Sequence, residues 1–235
     1  MMEFSFSDEP QILRVFNFDQ VTGEFIGESD CYVAANTGLP VGCVLDAVPQ
    51  ALEGKARVWT GKVWKRVDDY RGLTIWSTET RLPVTYDVLG KLPATLTTLE
   101  PSSEFDRWTG KEWAPDVKAA KEAQITAIKN HRDTVTADYI VIDGNHFHSD
   151  TDSRIQQMTL TKMGQAGMVP PGLMWQTKNN GLIELTNEIA AQFESVTIEH
   201  DMRLFATAQG YISAVEALTD FDAVMSYDWS QGWQP

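Results

Sequence analysis

The sequence predicts an α+β protein in which a small, aromatic-rich antiparallel β region comes first and a mainly helical region with two β-hairpins follows. Three observations carry that expectation. Before Pro115 the chain runs in short apolar segments rich in Trp, Val and Thr, broken by Gly and Pro. After it, apolar residues recur at three- and four-residue spacings over long stretches. Within the first half, Trp59-Thr60-Gly61-Lys62-Val63-Trp64 returns with one change as Trp108-Thr109-Gly110-Lys111-Glu112-Trp113. These textures give three regions: 1–50, an N-terminal hairpin and Pro/Gly-rich linker; 51–114, the Trp-repeat β region; and 115–235, a helical domain with hairpins.

The elements follow in order. Leu13, Val15, Phe16 and Phe18 lead through Asp19-Gln20-Val21-Thr22-Gly23 to Phe25 and Ile26, a strand, a turn and a strand. The stretch 30–50, with Asn36-Thr37-Gly38-Leu39-Pro40 and Val48-Pro49, reads as a linker or irregular extended segment. Each Trp-Thr-Gly-Lys-x-Trp copy reads as a hairpin whose glycine takes a positive φ in the turn, with the two indoles facing each other or the core. Short strands fill the interval, through Tyr70, Trp76, Tyr86, Leu89-Gly90-Lys91-Leu92-Pro93 and Leu96 to Pro101. A helix spans about 115 to 137, with Val117, Ala120, Ala123, Ala127, His131 and Val135 on its stripe and Ile128 beside it. A hairpin over Tyr139–His148 turns at Asp143-Gly144. Asp150 or Asp152 caps a helix carrying Ile155, Met158 and Met163, and a second hairpin turns at Lys178-Asn179-Asn180-Gly181. Thr186 caps the longest helix, to about Leu218, with Ile189, Phe193, Val196, His200, Leu204, Ala208, Tyr211, Val215 and Leu218 on one stripe and a kink at Gly210. The last residues form a segment that docks by its aromatics.

Composition limits the function classes. The 235 residues are 43% hydrophobic and 22% charged, as in a globular protein. The 19 basic and 33 acidic residues give a formal charge of −14, which argues against phosphate neutralisation as the main work and so against nucleic acid as a partner. The N-terminus lacks a basic leader and no apolar run reaches 18 residues, so neither an export signal nor a membrane span is expected. Cys31 and Cys43 are too far apart for a CxxC half-site and read as ordinary thiols.

No catalytic motif is present: GxSxG, HExxH, Walker A, GxGxxG and the EF-hand loop are all missing, and the acids are scattered over turns and caps. His146 and His148, at i and i+2 on a strand with Asp143, Asp150 and Asp152 nearby, offer the best metal arrangement, but a hairpin turn and a helix cap account for the same residues. A non-enzymatic protein without metal or cofactor is expected. Charge is locally inverted from Lys55 to Arg71, where Lys55, Arg57, Lys62, Lys65, Arg66 and Arg71 outnumber Asp68 and Asp69. That inversion marks either a contact face or solvated strand edges. Trp and Arg are enriched at interface hot spots, so Trp59, Trp64, Tyr70, Arg71, Trp76, Trp108 and Trp113 are the candidate partner-binding residues, with some expected in the core. The long helix stripe would run about 45 Å. Tyr211, Ile212 and Val215 are expected to stay exposed on it for self-association or docking.

A set of motifs resembles a known family. Phe18-Asp19 with Thr22-Gly23-Glu24-Phe25, Val58 to Trp64, Asp69 to Trp76, Leu89 to Pro93, Leu99 to Pro101 and Phe105 to Trp113 are together similar to the tail fibre assembly proteins of tailed bacteriophages, over roughly the first half of the chain. The second half, with Asp143-Gly144 and Phe147, Ser149 to Ile155, the Trp175 hairpin and Tyr227 to Trp233, resembles a helical domain of unassigned function appended to such phage proteins. The resemblance implies a chaperone that assists folding and trimerisation of a tail fibre by binding its distal, receptor-binding end. It acts in the host cytoplasm during assembly, contributes to virus–host adsorption, and in some phages stays at the fibre tip in the virion. A permanent structural part of the tail, such as a fibre-tip cap or connector, and a carbohydrate-binding module are the alternatives.

Overall fold

The structure, a computed structural model, describes residues 4–234. It falls into two compact units, one ending at Ala114 and the other beginning at Pro115.

The first unit is assembled from small antiparallel sheets. Strands β1 (Gln11–Phe18) and β2 (Phe25–Val33) form a long hairpin in which Gln11 pairs with Val33 and Phe16 with Glu28, and β3 (Cys43–Val44) pairs with β1 on its other side. The expected linker over 30–50 is thus partly strand, because β2 has a partner as far as Val33. Alternation sets the faces: Val15 is buried, while Arg14 points outward and binds Glu28 and Asp30 at 2.8 and 3.2 Å. Cys31 and Cys43 are free thiols on the strands flanking β1, and burial pushes the Cys43 thiol up.

Next come the hairpin β4 (Lys55–Trp59) and β5 (Trp64–Asp68), the sheet of β6 (Ile75–Ser77) between β7 (Pro83–Val84) and β8 (Leu96–Thr97), and the hairpin β9 (Asp106–Trp108) and β10 (Trp113–Pro115). Asp106, at the start of β9, is buried. Its carboxylate accepts from the N–H and hydroxyl of Ser102 at 2.7 and 2.8 Å and from the N–H and hydroxyl of Ser103 at 3.3 and 2.8 Å.

The second unit packs helices on two hairpins. Asp116 caps α1 (Val117–Thr136), Asp150 caps α2 (Thr151–Gln165), Thr186 caps α3 (Asn187–Ala217) and Asp220 caps α4 (Phe221–Met225), each accepting from an N–H three residues on. α3 passes through Gly210 without interruption. Between the helices lie β11 (Tyr139–Ile142) with β12 (Asn145–His148) and β13 (Met174–Thr177) with β14 (Gly181–Glu184). The core is Ile140, Ile142, Phe147, Leu160, Val169, Leu185, Ala190 and Phe193, with the Phe147 and Phe193 rings edge to face at 5.1 Å. The hairpin turns are stapled to one another. Asn179 accepts from the His146 N–H and donates to the Gly144 carbonyl, and Asn180 donates to Asn145, all at 2.8–2.9 Å. The His146 ring stacks on Tyr139 at 4.2 Å.

Three apolar stripes differ from the sequence expectation. On α1, Ala123 is exposed and Ala120 and Ile128 are buried. On α2, Ile155 and Met158 face solvent and the buried side is Gln157, Leu160, Thr161 and Gly164. Gly164 decides this: a Cβ there would meet Ala191 N at 2.5 Å and Asn187 O at 2.7 Å, so α2 lies against α3 on its least bulky side. On α3, the expected exposure of Tyr211, Ile212 and Val215 does not occur. Ile212 and Val215 are buried, at 6% and 0% exposure, and the Tyr211 ring packs 5.7 Å from Trp233 while its hydroxyl donates to the Gln231 carbonyl. The aromatic end segment supplies the missing cover, as its docking role anticipates: Trp233 is buried against His131, and the Trp229 indole donates to Gln124 at 2.9 Å.

Arg154 ties the helical frame together. It donates to the Ser149 carbonyl and hydroxyl, the Thr136 carbonyl and both carboxylate oxygens of Asp201, at 2.7–3.0 Å. One residue earlier on α3, His200 is buried, and burial together with the neighbouring Arg203 pushes its imidazole below the ordinary value; Arg154 acts the same way and Asp201 in the opposite direction. A histidine held neutral on folding contributes stability that is full above about pH 6.5 and declines as the pH falls through that value toward the lower folded one. The thermal midpoint should therefore fall as the pH is taken down from about 7 through the ordinary histidine value near 6.5. His200→Gln should flatten that slope in a pH series of melts, and an unchanged slope would assign the acid sensitivity elsewhere.

Candidate partner-binding surface

The repeated hairpin is built the same way twice. In the first copy the Thr60 N–H and hydroxyl donate to the Val63 carbonyl at 3.1 and 2.8 Å, and the Val63 N–H returns to the Thr60 hydroxyl at 3.3 Å. In the second, Thr109 and Glu112 repeat these contacts at 2.9, 2.8 and 3.2 Å. The intervening Gly61 and Gly110 sit at φ of 85° and 96°, where a side chain would be strained. The indole pairs follow: Trp59 and Trp64 are 5.4 Å apart, Trp108 and Trp113 5.2 Å. The later tryptophan of each pair donates its Nε1–H to a preceding carbonyl at 2.8 Å, Trp64 to Asp46 and Trp113 to Leu99.

The first copy leans on the β1–β2 hairpin. Phe18 meets Trp59 and Trp64 at 6.3 and 6.4 Å, and Phe25 meets Trp64 at 5.7 Å. Gly23 allows the approach: its carbonyl accepts from the Trp59 N–H at 2.7 Å, and a Cβ on it would lie 2.5 Å from the Trp59 oxygen.

The basic cluster is largely engaged inside the unit. Lys55 pairs with Asp68 across β4–β5, Arg66 donates twice to the Gln50 carbonyl, and the Arg57 guanidinium sits 4.4 Å over the Phe25 ring. Arg71 grips Glu24 with two bonds, at 2.9 and 2.6 Å, and Asp69 with two more, at 2.8 and 2.7 Å. This fork holds the Asp69 carboxyl below the usual carboxylate range. Lys62 and Lys65 are exposed.

Beside that fork lies a cleft of about 420 Å³, lined by Thr22, Glu24, Val58, Val67, Arg71, Asp87, Val88 and Leu89. Val21, 94% exposed, is next to its Thr22 wall, and Val88, 60% exposed, is part of its lining. Of the seven candidate residues, the structure brings Arg71 to this cleft, sets Trp59 next to its lining residue Val58, and places Tyr70 half-buried beside Arg71. Trp76 lies apart on β6, opposite Pro83 and Thr97, and Trp108 and Trp113 belong to the second hairpin. Sequence reasoning missed Glu24, Val88 and Leu89. The available signal was an acid directly after the turn glycine, matched in charge to an arginine 47 residues on.

Comparison with known proteins completes the description. A family described as "Tail fiber assembly protein, N-terminal domain" matches residues 4–67, and a domain of unknown function, DUF4376, matches residues 119–230. The chain is 34% identical over 146 residues to the prophage tail fiber assembly protein homolog TfaR of Escherichia coli K12, covering 59% of this chain and 75% of the relative. It is also 34% identical over 122 residues to the tail fiber assembly protein of Escherichia phage lambda, covering 51% and 63%, and 33% identical over 125 residues to the homolog TfaE of E. coli K12, covering 52% and 62%. No solved structure gives a significant match. With three quarters of TfaR spanned at 34% identity, the chain belongs to the tail fibre assembly protein family.

Proposed function

We propose that this protein is a non-enzymatic chaperone that helps a phage tail fibre fold and trimerise by binding the fibre's distal end, and that it works in the host cytoplasm during assembly. The single observation that supports the site is the cleft beside Arg71, where the β1–β2 turn, the first Trp hairpin and residues 87–89 converge. Its exposed valines offer apolar contact, and its walls are fixed by the Gly23 approach and the Arg71 fork, so little conformational freedom is lost on binding. In this reading Trp59, Trp64, Trp108, Trp113 and Arg71 hold the frame, Tyr70 beside Arg71 adds aromatic area near the contact, and Trp76 stands apart on β6.

Coexpression with the cognate fibre tests it. The wild type should yield a soluble, protease-resistant fibre trimer, and Val21→Asp/Val88→Asp should lose that rescue while keeping its own melting midpoint. A fibre that folds equally well without the protein sinks the chaperone role. Rescue that survives the double substitution moves the contact away from the cleft.

A further inference from the structure

We propose that a pocket between α2 and β13 binds a neutral saccharide. His148 at the end of β12, Ser153 and Gln156 near the start of α2, and Met174, Trp175 and Gln176 of β13 enclose about 280 Å³ there. That is close to the roughly 300 Å³ at which small-molecule pockets begin, room for one sugar ring. The pocket belongs to the second unit, whereas the cleft beside Arg71 belongs to the first, so it stands independently of the chaperone reading. Its polar groups are largely unspent. Among the described residues the His148 ring, the Gln156 amide and the Trp175 indole N–H make no hydrogen bond. Gln176 donates from Nε2 to the Thr177 carbonyl at 2.8 Å, which leaves its own oxygen open, and the Ser153 hydroxyl, which donates to Asp150 at 2.7 Å, can still accept. Amides and hydroxyls both donate and accept, as the hydroxyls of a sugar do, and the imidazole and indole add N–H donors. Met174 and Trp175 supply a thioether and an indole for the apolar C–H face of the ring.

The charge pattern selects against other small ligands. No lysine, arginine, aspartate or glutamate lines the pocket. The acids on the adjoining segments are Asp150, whose oxygens take the N–H and hydroxyl of Ser153, exposed Asp152, and Glu184, which lies opposite Met174 and accepts from the Gly172 N–H. The bases on those segments are engaged elsewhere, Arg154 with Asp201 and Lys178 with Asp138. An anion would therefore meet acids with no free cation to hold it, and a cation would find no carboxylate inside the pocket. The walls are set before a ligand arrives. Gln157, 2% exposed, donates to the His148 carbonyl at 2.8 Å, and the Trp175 ring packs 6.3 Å from Phe193. Binding thus has little to order besides the exposed Gln156 and Gln176 side chains. Of the His146 and His148 pair, His146 is taken up by its stack on Tyr139 and His148 alone lines this space.

Saturation-transfer NMR on the full chain, with glucose, galactose, mannose and N-acetylglucosamine as probes, tests the proposal. At least one should bind with a Kd of about 1–20 mM, and Gln156→Ala/Gln176→Ala should weaken it roughly tenfold. The bound sugar should also shift the Trp175 indole N–H resonance, identified by its loss in Trp175→Phe. Gln156 and Gln176 are exposed, so the double variant should keep its melting midpoint. Should it misfold, Gln156→Ala alone should weaken the same sugar roughly threefold. Binding by none of the four below about 100 mM overturns the inference. So does binding that a folded variant leaves unchanged, or a stronger response to N-acetylneuraminic acid or to lysine, the anionic and cationic controls.

Discussion

Replacing Gly164 by alanine is expected to destabilise the helical unit by about 3 kcal/mol, although alanine is the better helix former by about 1 kcal/mol. The new methyl would meet Ala191 N at 2.5 Å, Asn187 O at 2.7 Å and the Ala190 Cβ at 2.9 Å. Two of those three are backbone atoms of α3, so no rotamer change relieves the clash and the helices must separate. Separation loosens Leu160 and Phe193, which share the core on either side of the contact. The midpoint of thermal unfolding should drop by roughly 10 °C. Gly210→Ala is the internal control: nothing lies within 4 Å of a Cβ there and the position is helical, so the same substitution should raise stability by a few tenths to about 1 kcal/mol. Equal effects at the two glycines would mean that the close α2–α3 approach is not what Gly164 is for.

The second large effect belongs to Asp106. Asp106→Ala removes the acceptor for two N–H groups and two hydroxyls of Ser102 and Ser103, in a place where the carboxylate is 1% exposed, and should cost about 3 kcal/mol. Burial alone would push this carboxyl up, but the four hydrogen bonds outweigh it and hold it below the usual value. Its stabilisation is therefore present above the unfolded value near 4 and is lost as the pH falls through the lower folded value. Urea titrations monitored by tryptophan fluorescence at pH 7 and at pH 3 should show a gap between wild type and variant that narrows in acid. A gap that persists unchanged would leave the carboxylate charge without a role in holding the loop.

How much of this was legible in the sequence depended on whether a signal was local. The α+β class, the two Trp hairpins, the Asp143-Gly144 turn and the Thr186 cap all follow from residues that touch neighbours a few positions away. The family motifs were equally readable, and the structure explains several as architecture. Arg154 of the Ser149–Ile155 stretch is the ligand of Asp201, and Trp233 of the final motif plugs the helical unit. The stripes of α2 and α3 were misjudged for a physical reason: hydrophobicity alone does not say which side of a helix has room to approach. A glycine and a threonine give α2 its buried side, and on α3 the end segment covers Tyr211, which Gln231 and Trp233 meet, while Ile212 and Val215 are buried. The cleft beside Arg71 was only half visible, because Glu24 and Leu89 join it through contacts that no spacing rule encodes.

The staple between the two hairpin turns and the tie from Trp229 to Gln124 bear on the order in which the chain can take shape. In the first unit the β1–β2 and β4–β5 hairpins close over short loops, so they can form as soon as they emerge from the ribosome. In the second, Asn179 must reach back 33 residues to His146 and Trp229 back 105 residues to Gln124. Such long closures are entropically late. Synthesis from the N-terminus therefore presents the β1–β2 and β4–β5 hairpins while α1 still waits for its aromatic cover, and Trp229 and Trp233 act as the latch that completes the helical unit.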